Sequence, residues 1–170
     1  MDTTGRALLL ELIDRGYDKV SWHGANLTGA VRGVSARTAA QRVAGRKSVW
    51  EQVLHAAYWK QRVLNKLIGR TPFPRKGSNW PLVPAKVSDQ AWGEDLRMLA
   101  NLHGRLREAV AGLDEGRMTP KVVMMIQGVA FHDVYHAGQI KLIRRMVETG
   151  KPAKTRLTSD PAKRRGARVS

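Results

Sequence analysis

From Thr119-Pro120 to Gly150 the chain reads as one uninterrupted helix, and this long closing segment limits the possible folds more than any other feature. Proline suits the first position of a helix, where its missing N–H is not needed, and glycine suits the residue just past the end. Within the run, Met125, Val129, His132, His136, Gln139, Ile143 and Met146 recur at spacings of three and four, the pattern of a helix face turned toward a core. His132 and His136 therefore belong to the inward face. Four residues apart, they are neighbours on one side of the helix, about 5–6 Å apart at Cβ, and both rings can turn toward a common point. An inward imidazole needs a partner, and two such rings can grip one metal ion.

The rest of the chain is helical in pattern as well, and no stretch alternates with the period of a strand. A first helix is expected over residues 3–15, burying Leu8, Leu9, Leu12 and Ile13 and ended by Gly16. Residues 17–46 form a connector with two short helical pieces, around 26–32 and, after the cap Ser35, around 36–43. Ser48 and Glu51 have the spacing of a capping box and start a second long helix that Gly69 closes. Trp50, Val53, Leu54, Ala57, Leu64 and Leu67 give that helix a core face, with His55 at its boundary. A third helix runs from about Ser88 to Asp114, with Trp92, Leu96, Leu99, Leu106, Val110 and Leu113 as its stripe and His103 in register. The expected fold is all-α, a four-helix bundle with a long crossover between the second and third helices. Residues 70–87 form that crossover, since Pro72, Pro74, Pro81 and Pro84 exclude a helix there. Phe73 and Trp80 on it either cover a pocket at one end of the bundle or simply plug that end.

Cysteine is absent, so disulfides, thiolate metal sites and a protein-borne thiol nucleophile are excluded, and any metal site must use nitrogen and oxygen ligands. With 170 residues and 42% apolar content, one domain over residues 1–150 is expected, followed by a basic, disordered tail over 151–170. The net charge is +16. Bases at 151, 154, 156, 163, 164, 165 and 168 against the single acid Asp160 give the tail +6 of it. Such a surface gives weak, non-specific attraction to nucleic acid, or no more than solubility, and no recognition module accompanies it. No segment approaches membrane-spanning length and the apolar run at residues 7–10 is too short for a signal peptide, so a cytoplasmic protein without membrane contact is expected.

The order of Trp22-His23-Gly24, then Ser-Val-Trp-Glu-Gln-Val-Leu-His-Ala-Ala-Tyr-Trp over residues 48–59, then His-Asp-Val-Tyr-His-Ala-Gly-Gln-Ile over residues 132–140, resembles the DinB-like superfamily. The resemblance covers roughly residues 1–149 and is most specific in the last motif. It implies a four-helix bundle with a crossover, and a divalent metal ion held by His55, His132 and His136. It also implies a homodimer, and activity as a transferase that joins a low-molecular-weight thiol to an electrophilic small molecule. Three neutral imidazoles leave a position open for water or substrate, as catalytic sites do. Zinc or nickel fits such ligands best, and iron or manganese is compatible.

Other residues of these motifs carry weaker expectations. His23 is a candidate proton shuttle or substrate contact, with a local turn role beside Gly24 as the alternative. Gln139 is a candidate partner for a ligand ring or substrate, and Asp133 is either a partner of another histidine or a surface ion pair. Gly138 inside a good helix suggests close approach by another helix or by a ligand. Two further readings stand beside the transferase. One is a metal-dependent hydrolase, disfavoured because no glutamate lies within the histidine motif. The other is a non-catalytic metal-binding stress protein or a basic nucleic-acid-associated protein.

Overall fold

A computed structural model of the chain describes residues 3–150; the expected tail lies outside them. In chain order the helices are α1 (Thr3–Tyr17), α2 (Leu27–Val31), α3 (Ala36–Ala40), α4 (Val49–Ile68), α5 (Asp89–Ala111) and α6 (Pro120–Thr149), with a 3-10 turn at Glu115–Arg117 before α6. Among the described residues the only strand-like feature is an isolated bridge between Ser21 and Gly24, and no helix is long and apolar enough to cross a membrane.

The helix boundaries follow local chemistry. Ser48 Oγ accepts the Glu51 N–H at 3.2 Å and Glu51 Oε2 accepts the Ser48 N–H at 2.9 Å, a closed capping box that fixes where α4 begins. Burial pushes the Glu51 carboxyl up, but the Arg42 guanidinium, the Ser48 N–H and the Lys47 ammonium outweigh it and hold its pKa at about 2. Asn26, Ser35, Ser88 and Thr119 cap α2, α3, α5 and α6 with their side chains. Gly150 ends α6 in the left-handed conformation.

α4 touches α5 and α6, and α1 touches the same two helices, so the four long helices stand in a square with α1 and α4 on one diagonal. The directions are legible from the contacts. Trp50 near the start of α4 meets Trp92 near the start of α5, with ring centroids 5.1 Å apart, while Leu67 at the end of α4 shares a core cluster with Leu106 and Val110 late in α5. α4 and α5 are therefore parallel. Because α4 spans 20 residues, or about 30 Å, the chain must climb back the length of the bundle before α5 can begin. That is the physical reason for an extended, proline-rich crossover in place of a tight turn.

The core has two clusters. One gathers Trp50, Leu54, Ala57, Leu99, Ile140 and Ile143 beneath a cap made by α2 and α3; the other gathers Ile13, Val63, Leu106, Ile126 and Val129 at the far end. Trp50 Nε1–H donates to Asp95 Oδ2 at 2.8 Å, and Arg75 of the crossover donates to Asp95 Oδ1 at 2.6 Å, so one buried carboxylate ties the loop to both parallel helices. Two expectations for α1 change. Leu8 is 65% exposed, because the buried side is set by Leu9 and Ile13. Gly16 lies inside the helix, where a Cβ would stand 2.8 Å from the Ala130 carbonyl oxygen, so it permits close approach of α1 to α6.

Asp133 is neither a surface residue nor a histidine partner. It is fully buried and forms an ion pair with Lys60 of α4, whose side chain is 1% exposed. Burial pushes the Asp133 carboxyl up, and the Lys60 ammonium opposes that shift. The same ammonium lies 5.0 Å from the Tyr17 ring centroid, and Tyr17 stacks on His103 at 3.8 Å. Removing one member of a buried ion pair strands its partner's charge, at a cost of about 3–5 kcal/mol. Lys60→Met or Asp133→Leu alone is expected to be destabilised on that scale in urea unfolding, and the double variant is expected to recover wild-type stability or exceed it.

Candidate metal centre

The seam between α4 and α6 places three imidazoles together. His55 faces α6 from the first half of α4, and His132 and His136, one turn apart, face α4 from the middle of α6. His132 Nε2 lies 3.1 Å from His55 Nε2 and 3.0 Å from His136 Nε2. One ligand atom from each of the three rings lies within 4.8 Å of the others, so the group can hold a metal ion. His55 and His136 are 6% and 3% exposed, and His132 is half-buried.

The outward nitrogens decide what the inward ones can be. His55 Nδ1–H donates to the Asn79 backbone carbonyl, and His136 Nδ1–H donates to Gln52 Oε1 at 2.5 Å. A carbonyl oxygen can only accept, so both rings carry their proton on Nδ1 and present a bare lone pair at Nε2. His132 Nε2 faces both lone pairs and has one proton at most to offer between them, while its own Nδ1 is buried without a hydrogen-bond partner. Neutral rings alone therefore leave at least one of these Nε2 lone pairs without a proton of its own to accept. A cation among the three nitrogens removes the conflict, and ligands about 2.0–2.1 Å from a tetrahedral ion stand about 3.3–3.4 Å from one another, close to the two separations from His132 Nε2.

The rings are held in their neutral form, the form that is able to ligate a metal ion. Burial, then the neighbouring His132 and His55, depresses the His136 pKa to about 3. Burial, then His55 and Lys60, depresses that of His132 to about 4. His55 is lowered by burial, against the opposing pull of the Asn79 carbonyl.

The crossover closes over this group. Trp80 stacks on His55 with centroids 3.9 Å apart and planes 13° from parallel, and the Lys47 ammonium lies 5.3 Å from the centroid of the Trp80 ring. Asn79, at a left-handed φ of 57°, aims its carbonyl at His55 while its side-chain oxygen accepts the Trp59 indole N–H at 3.0 Å. Of the two crossover aromatics expected either to cover a pocket or to plug the bundle end, Trp80 covers the histidines, whereas Phe73 packs edge-on against Tyr58 at 5.5 Å.

The other candidates fall elsewhere. His23 is exposed in the turn between α1 and α2, outside the cluster. Gln139 donates to the Tyr135 hydroxyl at 2.7 Å, and Tyr135 meets His136 edge-on at 5.1 Å, so Gln139 adjoins the group only through that phenol. His103 belongs to the Tyr17 stack on the other side of the bundle interior. Gly138 is exposed, and a Cβ there would meet nothing within 4 Å, so none of the described helices requires the glycine. Asn79 and Lys60 belong to no sequence motif, and Gln52 and Trp59, although inside the segment over residues 48–59, were not singled out by it. Gln52 alone had a signal, standing three residues before His55 on the same side of α4.

An all-helical bundle whose interior joins three imidazoles across two antiparallel helices defines a class of proteins that can hold a metal ion between helices. A family model described as the DinB superfamily matches residues 19–140, and the chain belongs to that superfamily. Comparison with curated proteins and with solved structures gave no match.

His103, His132 and His136 have folded pKa values of about 3, 4 and 3, below the ordinary 6.5. As pH falls below about 6.5 the unfolded chain binds protons that these rings refuse, so stability drops until the folded values are reached. The melting temperature of metal-free protein is expected to be insensitive to these groups above pH 7.5 and to fall steadily from pH 6.5 to 4. The fall should be shallower in a His132→Gln/His136→Gln variant followed by circular dichroism.

Proposed function

We propose that this DinB-superfamily protein holds one divalent metal ion through His55, His132 and His136 and uses it to transfer a low-molecular-weight thiol to an electrophilic small molecule. The observation that carries the metal reading is the pair of Nδ1–H donors locked onto Asn79 and Gln52, which leaves Nε2 lone pairs converging on His132. Zinc or nickel suits an all-imidazole donor set, and iron or manganese is compatible with it. When bound, such an ion would supply Lewis acidity and would lower the pKa of a thiol cosubstrate.

The chain's own residues provide the rest. Gln52 and the Asn79 carbonyl fix tautomer and ring orientation, the usual work of groups behind metal-bound histidines. Trp80, stacked on His55, shields that ring from water. With no cysteine in the sequence, the reacting sulfur must come from a cosubstrate. Hydrolysis is less well supported. The nearest acid in sequence, Asp133, is engaged by Lys60 in the interior, and no carboxylate belongs to the histidine cluster among the described residues.

The test uses untagged protein, elemental mass spectrometry and a thiol-consumption screen with electrophilic acceptors. Wild type is expected to carry about one divalent ion per chain and to consume thiol only when loaded, and His132→Ala to lose both properties. Unchanged metal content and activity in His132→Ala would refute the reading. Gln52→Leu is expected to keep the fold and weaken zinc affinity by about 10–100-fold, measured by competition with a chromogenic chelator.

A further inference from the structure

Next to the three histidines, α4 and α6 leave a cleft of about 220 Å³, lined by Trp59 and Val63 from α4 and by Met125, Gly128, Val129 and His132 from α6. The paired positions run in opposite directions along the two helices, so the cleft follows their seam, with His132 and Trp59 at the end nearest the cluster. Trp59 meets both His132 and His55 edge-on, at 6.2 and 6.4 Å. His132 belongs to both the cleft and the cluster, making the two continuous.

The lining sets the chemistry of the occupant. Apart from the His132 ring and the Trp59 indole N–H, which is already committed to Asn79, every lining side chain is apolar. A charged or strongly polar group would lose its hydration there without compensation. An apolar cavity of about 150 Å³ is enough to take benzene, so about 220 Å³ admits a substituted ring or a short alkyl chain. Gly128 lines this space without a side chain: it is exposed, and an added Cβ would touch nothing within 4 Å. Glycine weakens a helix interior, and no contact among the described residues calls for it here.

We propose that this cleft is the acceptor subsite: it binds the aryl or short alkyl arm of the electrophilic substrate along Trp59 and Val63 and brings the reacting end to the His132 side of the cluster. This rests on the metal-centred reading above and adds the substrate's chemical class to it. Gly128→Leu tests it without threatening the fold, because leucine is a better helix former and has room to enter the cleft.

Toluene, followed by saturation-transfer NMR and indole fluorescence, is expected to bind metal-free wild type saturably. Gly128→Leu should bind it at least tenfold more weakly, with a melting temperature no lower than that of wild type and unchanged zinc affinity. His136→Ala, which does not line the cleft, should lose zinc and keep toluene. On zinc-loaded protein, n-alkyl hydroxamates should tighten over acetohydroxamate by about fourfold for each of the first few methylenes, and this gain should vanish in Gly128→Leu. Toluene binding without zinc uptake would retain the apolar site and remove the metal reading. Zinc uptake without toluene binding, or with chain-length discrimination intact in Gly128→Leu, would overturn the subsite alone. Conversion of a dimer to monomer by Gly128→Leu in light scattering would also overturn the subsite, since a second copy would then fill the cleft.

Discussion

Two antiparallel helices, α4 and α6, meet along a seam where three imidazoles face one another and their bare nitrogens cannot all be satisfied by neutral hydrogen bonding. Much of the architecture serves to hold that seam in place. Gln52 reaches His136 from the preceding turn of α4, and the Asn79 carbonyl reaches His55 from the crossover. The crossover is there because α4 and α5 run parallel, which obliges the chain to travel back along the bundle. The same connection that solves a topological problem thus supplies the Asn79 carbonyl, the Trp80 ring and, through Arg75 and Asp95, an anchor in the core.

α6 also shows how one helix serves two polar sites. His132 and His136 turn toward α4 with their nitrogens converging, while Asp133, about 100° further round, enters the interior to meet Lys60. A buried ion pair contributes little net stability, but it engages the acid nearest the histidines in sequence and leaves the cluster with nitrogen donors. Around those donors the surroundings are aromatic on one side, from Trp59 and Trp80, and apolar along the cleft beyond His132.

The parts of this arrangement that repeat with helical period were legible in the sequence. The capping box at Ser48, Pro120 at the start of α6, Gly150 at its end and the three-and-four spacing through His132 and His136 all correspond to observed features, as does the all-helical class. His55 looked like a boundary residue because α4's own stripe stops short of it; it is buried because Trp80 descends from a loop with no periodicity to read. Asn79 was invisible for the same reason. Asp133 misled because its position on the helix was clear while its partner, Lys60, lay on a distant turn of another helix with nothing local to mark it. Leu8 and Gly16 show the remaining limit: which apolar residue is buried, and which glycine permits close approach, depends on how α1 lies against α6.

The most direct test of a metal-centred seam is a zinc titration of metal-free protein, watched through the ring nitrogens of its five histidines by long-range proton–nitrogen NMR. Before zinc, His55 and His136 should be neutral rings protonated at Nδ1. One equivalent should shift Nε2 of His55, His132 and His136 together and leave His23 and His103 unchanged. If one equivalent moved none of the three, or moved His23 or His103 in their place, the central claim that the α4–α6 seam is built around a single cation would be contradicted.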